Sequence, residues 1–183
     1  MTVIAAVVDK GSVYMGGDSA GVAGLSISIR SDEKVFHNGP FLIGFTSSYR
    51  MGQILRYKYQ PPKQVYGQDD MSYMCTDFID SLRGCYAGNG FGKIPDRDNN
   101  EGGTFLVGYN GVLYMVAGDF QVGIPAVQYD AVGCGADIAL GALHATKGKK
   151  PEDRVKASLE AAATFSAGVA GPFTILKQDK PKK

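Results

Sequence analysis

Residues 1–34 read MTVIAAVVDKGSVYMGGDSAGVAGLSISIRSDEK, and this stretch decides the fold. Val3 to Val8 and Ser12 to Gly17 are short apolar and β-branched runs joined by Asp9-Lys10-Gly11, where glycine accepts positive φ; the pattern predicts a hairpin. Val22 to Ile29 alternates, with Leu25, Ile27 and Ile29 separated by Ser26 and Ser28, which predicts one half-buried strand. Thr2 opens the first run, Asp18 follows the second sixteen residues later, and Lys34 lies sixteen residues beyond that.

Working outward, Lys34 to Phe36 resumes extended structure, His37-Asn38-Gly39-Pro40 breaks it, and Phe41 to Phe45 reads as a buried strand. The period then changes. Ser47-Ser48 supplies an N-cap, and Met51, Ile54, Leu55 and Lys58 recur at helical spacing until Pro61-Pro62. A second helix starts near Asp69-Asp70, with Met71, Met74, Cys75, Phe78 and Leu82 on one face as core filler. Residues 88–103, rich in Gly, Asn and Asp, read as one long loop. Asn110-Gly111 between Thr104–Tyr109 and Val112–Ala117 is the strongest hairpin signal. A short strand around Ala126 to Val132 leads through Gly133-Cys134-Gly135-Ala136 into an alanine-rich helix ending near Leu143. Pro151 opens a last helix that turns Val155, Leu159, Ala162 and Ser166 inward, and Phe173 to Leu176 is a final strand.

Strand runs alternating with helix pairs predict an α+β fold, two sheets face to face between two helical layers, and not a βαβ parallel sheet. At 183 residues, without repeats or linkers, the chain is expected to form one domain over residues 1–176, with 177–183 a basic flexible tail. A net charge of +1 gives no electrostatic case for nucleic acid or membrane binding. No apolar run approaches a membrane span and no signal peptide is visible. The three cysteines, Cys75, Cys85 and Cys134, lack metal-ligand spacing and read as reduced thiols; the expectation is a cytoplasmic protein with no metal and no cofactor.

A hydroxyl one residue from the initiator, a carboxylate and an amine at even intervals are the parts of an N-terminal nucleophile. Singly, each has an ordinary reading: Asp18 as a turn residue, Lys34 as a solvated charge beside Asp32 and Glu33. Their joint register carries the argument. Thr2 opening the first strand, Gly16-Gly17-Asp18 ending the second, Lys34 entering a later one, Ile43-Gly44-Phe45 before the first helix and Gly133-Cys134-Gly135 before the third occur in order. From Thr2 to about Leu176 the chain resembles proteasome β-subunits and HslV-type threonine peptidases, within the N-terminal nucleophile hydrolases.

That resemblance implies a four-layer αββα sandwich and a ring-forming homo-oligomer that cleaves peptides or unfolded proteins, with an ATPase unfoldase as feeding partner. It also implies roles. With Met1 removed, the Thr2 α-amine, titrating near pH ~8, takes the Thr2 hydroxyl proton, and the oxygen attacks a peptide carbonyl. Lys34 favours the neutral amine and the ionising hydroxyl, Asp18 holds Lys34, and the backbone N–H of Ser47 or Ser48 faces the oxyanion. Where the family has a serine in the glycine loop, the matching place is Cys134 or Ala136, and the Thr164–Gly171 segment lacks the family's aspartate.

Two other functions fit parts of the sequence. A catalytically inactive proteasome-like subunit, acting as scaffold or partner-binding module, accords with the altered supporting residues and with Met1, whose peptide bond occupies the Thr2 amine. Gly17-Asp18-Ser19 also matches a Gly-Asp-Ser serine esterase using Ser19. That chemistry needs a histidine three residues after an aspartate, and Lys34 and Gly141 stand at those places before His37 and His144. Both histidines are expected to be structural or exposed.

Overall fold

Lys10 and Gly11, at φ 49° and 77°, close the predicted hairpin between β1 (Val3–Asp9) and β2 (Ser12–Gly17). The computed structural model describes residues 1–91 and 102–180. Next comes a correction: Val22 to Ile29 is not one half-buried strand but a hairpin, β3 (Ala20–Ala23) and β4 (Ser26–Ile29). Gly24, at φ +58°, turns the chain between them, so Leu25, Ile27 and Ile29 sit on an exposed arm instead of a sheet face. Periodicity detected the extended backbone but could not say which side was covered.

β5 (Val35–Asn38) and β6 (Phe41–Phe45) pair antiparallel and lead to α1 (Tyr49–Tyr57). Ser48 caps α1, its hydroxyl accepting from Arg50 and Met51 N–H, and the helix stops at Tyr57, leaving Lys58 exposed at the C-cap. Asp69 caps α2, which runs through Asp70–Tyr73, a π-helical turn at Met74–Phe78, and Ile79–Gly88. The wider turn shifts the buried stripe onto Tyr73, Met74, Phe78, Ile79, Leu82 and Tyr86, so Met71 and Cys75, expected inside, face outward. Of the expected 88–103 loop, residues 92–101 lie outside the described residues.

β7 (Phe105–Tyr109) and β8 (Val112–Val116) flank Asn110 and Gly111, both at positive φ as a type I′ turn requires. β9 (Val122–Gly123), a short unexpected strand, precedes β10 (Tyr129–Gly133), α3 (Ala136–Ala145), α4 (Pro151–Phe165) and β11 (Thr174–Asp179). β11 pairs with β2 through Asp179, so Lys177, Gln178 and Asp179 belong to a sheet and not to a free tail.

Among the described residues, two large antiparallel sheets result beside the two-stranded β3–β4 ribbon, in the orders β10-β1-β2-β11 and β5-β6-β7-β8-β9. Alternation assigns each strand's two faces. In β1, Val3, Ala5 and Val7 pack with Leu143, Val155 and Leu159 from α3 and α4, while Ile4 and Ala6 join Leu42, Leu106 and Leu113 of the second sheet. In β6, Phe41, Ile43 and Phe45 meet α1 and α2 residues such as Met51, Ile54 and Phe78. Each such buried Val, Leu, Ile, Met or Phe side chain contributes about 1.5–3 kcal/mol relative to exposure.

The sheets approach closely where glycines remove side chains. A Cβ on Gly44 would lie 2.6 Å from Ile4 Cγ2 and Met15 Sδ, and both neighbours are fully buried. Gly44→Ala is therefore expected to cost about 1–3 kcal/mol, read as a lower urea midpoint at unchanged slope.

Candidate active site

Strand register builds the site. Ile4 pairs with Gly17, so the next residues along the two strands, Val3 and Asp18, are adjacent. Asp18 N–H donates to the Val3 carbonyl at 3.3 Å, and Val3 N–H returns a bond to Asp18 Oδ1 at 3.0 Å. The sixteen-residue interval from Thr2 to Asp18 is thus the length of one hairpin. Lys34 comes from the other sheet, just before β5. Gly17 lets β5 approach: a Cβ there would lie 2.7 Å from Ile4 Cδ1 and 3.0 Å from Cγ2 of Val35, the residue after Lys34. On the opposite side, Gly133 packs against Thr2, and Gly135 N–H donates to the Thr2 carbonyl at 3.3 Å.

Thr2, Asp18 and Lys34 are 4%, 2% and 2% exposed, so their polar groups must satisfy one another. The Thr2 hydroxyl donates to Asp18 Oδ1 and accepts from Lys34 Nζ. Lys34 Nζ also donates to Asp18 Oδ1 and to the Ala20 carbonyl, each at 2.7 Å, which uses all three ammonium protons. Asp18 Oδ2 accepts from Ala20 N–H at 2.9 Å and Ala170 N–H at 3.4 Å. Burial lowers the Lys34 pKa from its ordinary value, against the opposing pull of Asp18. The result is a cation, hydroxyl and carboxylate in mutual contact, shielded from water.

Of the two candidates in the glycine loop, Cys134 reaches Thr2 and Ala136 does not. Thr2 N–H donates to Cys134 Sγ at 3.2 Å, the thiol lies 3.4 Å from the Thr2 carbonyl, and Ser166 Oγ stands 3.6 Å from the sulfur. Ala136 instead joins the apolar packing of the first sheet. Ser166, expected inside α4, lies just beyond its end.

Ser47 and Ser48 also separate. Ser48 N–H donates to the Thr46 carbonyl at 2.7 Å and is occupied within the turn. Ser47 adopts φ +63° beside the site, and its hydroxyl accepts from Thr104 N–H at 3.2 Å. Thr2 stands between two cavities. One of ≈ 70 Å³ is walled by Val22, Phe45, Tyr49 and the Thr46–Ser48 turn; the other, of ≈ 380 Å³, by Thr104, Gly133 and Cys134. Met1 lines both, and its side chain lies against Gly168.

The other sequence candidates lie elsewhere. Ser19 Oγ donates to the Pro172 carbonyl at 2.6 Å, His37 is exposed on β5, and His144 Nδ1 meets Tyr129 Oη at 3.0 Å. Among the described residues no cluster of His, Cys, Asp or Glu could hold a metal ion, and no helix is long and apolar enough to cross a membrane. All three cysteines are free thiols. No spacing in the sequence marks Ser166 at the sulfur, the Ala20 carbonyl or Tyr49, because each reaches the site through tertiary packing of a different element.

The buried pair makes a stability prediction. Asp18→Ala leaves the Lys34 ammonium without its anion and is expected to cost about 3–5 kcal/mol, whereas Lys34→Met leaves Asp18 with three backbone donors and costs less. Urea unfolding of both variants at neutral pH checks the order.

No protein-family model matches the sequence, and no curated protein matches it either. Solved structures do. BPH from Thiobacillus denitrificans superposes with a TM-score of 0.83 at 19% identity, covering 100% of both chains. The same protein in complex with epoxomicin gives 0.82 at 19% identity, over 99% of this chain and 100% of that one. Eukaryotic HslV from Trypanosoma brucei gives 0.68 at 17% identity, over 96% and 98%. With this element order and these strand pairings, the chain has an HslV-like fold.

Proposed function

We propose that the protein is a threonine peptidase whose nucleophile is Thr2 once Met1 has been removed. The observation that carries this reading is the mutual contact of Thr2 Oγ1, Asp18 Oδ1 and Lys34 Nζ at the start of the first strand. Hydrolysis of the Met1–Thr2 bond frees an α-amine on the residue that bears the hydroxyl. The amine, titrating near pH ~8, takes the hydroxyl proton directly or through water, and the oxygen attacks the scissile carbonyl. Lys34 stabilises the developing alkoxide and favours the neutral amine by its charge; Asp18 keeps Lys34 aimed. Ser47 N–H faces the oxyanion, since the Ser48 amide is already bonded. The protonated amine then gives its proton to the leaving nitrogen, and water, activated by the same amine, hydrolyses the ester and restores Thr2. Cys134 Sγ, 3.2 Å from the Thr2 nitrogen, holds it beside the hydroxyl.

The same reading extends to architecture and partners. The three apolar clusters support a four-layer αββα sandwich, with one core between the sheets and one under each helix pair. The likeness to HslV supports a homo-oligomeric ring in the cytoplasm that receives peptides or unfolded chains, with an ATPase unfoldase as feeding partner. Epoxomicin, bound by the Thiobacillus denitrificans protein, is the natural probe.

A second reading has its own observation. While Met1 is present, the Thr2 nitrogen is an amide and cannot act as a base, and Met1 lines both cavities. A chain that keeps Met1 is an inactive, scaffold-like subunit.

Intact-mass measurement with and without epoxomicin separates the two. Des-Met1 protein is expected to gain one inhibitor mass at Thr2, and Thr2→Ala to gain none; retention of Met1 in all protein, with no labelling, refutes the peptidase. For the active form, kcat/KM on a peptide amide is expected to rise with pH and level off above pH ~8, as the amine loses its proton. Lys34→Ala and Asp18→Asn are each expected to lower it by about 10²–10⁴.

A further inference from the structure

Tyr49, the first residue of α1, has no part in the chemistry above, yet three contacts direct it at the site. Its hydroxyl donates to the Ala20 carbonyl at 3.2 Å, and that carbonyl also accepts from Lys34 Nζ at 2.7 Å. Its ring carries the Arg30 guanidinium on one side, 3.9 Å from the centroid, and meets Phe45 edge-on at 5.8 Å. Arg30 is itself fixed by a two-point bond to Asp32 at 2.7 and 2.5 Å. Gly21 lets the Arg30 stem pass, since a Cβ there would lie 3.0 Å from Arg30 Cδ.

From this geometry we infer that Tyr49 is a positioning residue for Lys34, acting through the Ala20 carbonyl, with Arg30 clamping the Tyr49 ring in place. This rests on the reading of Lys34 as the cation that serves Thr2.

The argument is one of lone pairs and protons. A carbonyl oxygen has two acceptor sites, and the Tyr49 hydroxyl takes one, which fixes the carbonyl's direction and leaves the other for Lys34. Lys34 has three protons, committed to Thr2, Asp18 and Ala20, so the Ala20 carbonyl is the one backbone acceptor that sets its approach from outside the Thr2–Asp18 pair. Ala20 opens the β3–β4 hairpin, whose second strand is exposed along its length, so sheet pairing to the core does not hold this carbonyl still. Tyr49 ties it to α1. Burial pushes the Tyr49 phenol up to about 12, so the hydroxyl remains a donor across the working range of pH.

The test uses Tyr49→Phe, which keeps the ring against Arg30 and Phe45 and deletes only the donor. In protein carrying ¹⁵N-lysine, hydrogen exchange of the Lys34 ammonium is expected to be about 3–10-fold faster in Tyr49→Phe than in the parent. Tyr59→Phe serves as control: it removes a hydroxyl that donates to the Phe78 carbonyl at 2.7 Å, away from Lys34, and should leave that exchange unchanged. Arg30→Gln is expected to accelerate exchange in the parent but to add little to Tyr49→Phe, because both act through one hydroxyl. In des-Met1 protein, the maximal rate of epoxomicin labelling should fall by a similar factor in Tyr49→Phe at unchanged half-saturation. Parent-like exchange in Tyr49→Phe, or equal acceleration in Tyr59→Phe, overturns the inference. Absence of labelling in the parent counts against the peptidase, while the exchange measurement decides the role of Tyr49 by itself.

Discussion

A lysine and an aspartate 2.7 Å apart, both almost wholly withdrawn from water, are the constraint around which this molecule is arranged. Such a pair does not come free: desolvating two charges costs several kcal/mol per ion, and attraction offsets this only when every remaining donor and acceptor is used. Here they are. Lys34 spends its three protons on Thr2, Asp18 and Ala20, and Asp18 collects backbone N–H groups of Val3, Ala20 and Ala170 besides the lysine. The hydroxyl of Thr2 closes the network. A group so placed cannot relax away from its neighbours without leaving a buried charge or dipole unmet.

Bringing the pair together requires two sheets to touch. Lys34 enters from the sheet of β5–β9, while Thr2 and Asp18 belong to the hairpin of the other sheet. Glycines at positions 16, 17 and 44 remove the side chains that would hold the layers apart: Gly16 faces Val155 and Leu159 of α4, and Gly17 and Gly44 face the inter-sheet core. Gly17 and Gly44, which thin the inter-sheet layer, therefore bring the lysine within reach of the threonine, so packing defects there are expected to be read in the site as well as in stability.

Around that rigid centre the surroundings are less tightly enclosed. The β3–β4 hairpin leaves Leu25, Ile27 and Ile29 exposed, and Met1 is more than half exposed where it lines both cavities beside Thr2. Cys134 lies within reach of the Thr2 nitrogen through a soft, weakly bonding sulfur where a hydroxyl would bond more strongly. Chemistry at such a centre depends on how the open side is managed: which group occupies the threonine nitrogen, and what keeps the hairpin carbonyl at Ala20 directed toward Lys34.

What the sequence determined by itself was local. Apolar runs separated by Lys10-Gly11 and Asn110-Gly111 specify hairpins, because positive φ and period two are properties of neighbouring residues. The sixteen-residue interval from Thr2 to Asp18 is the length of one such hairpin, so the residues were legible in the sequence while their contact came with the strand register. The tertiary structure decided the rest. Whether Leu25 and Ile27 were covered, whether Cys134 or Ala136 met Thr2, and whether Ser47 or Ser48 kept a free amide turned on segments brought together from distant parts of the chain. The π-helical turn at Met74–Phe78 likewise rotated Met71 and Cys75 outward without any change in composition to announce it. Short-range geometry is written in adjacent residues; burial and the direction of a hydrogen bond are fixed only when the second layer arrives.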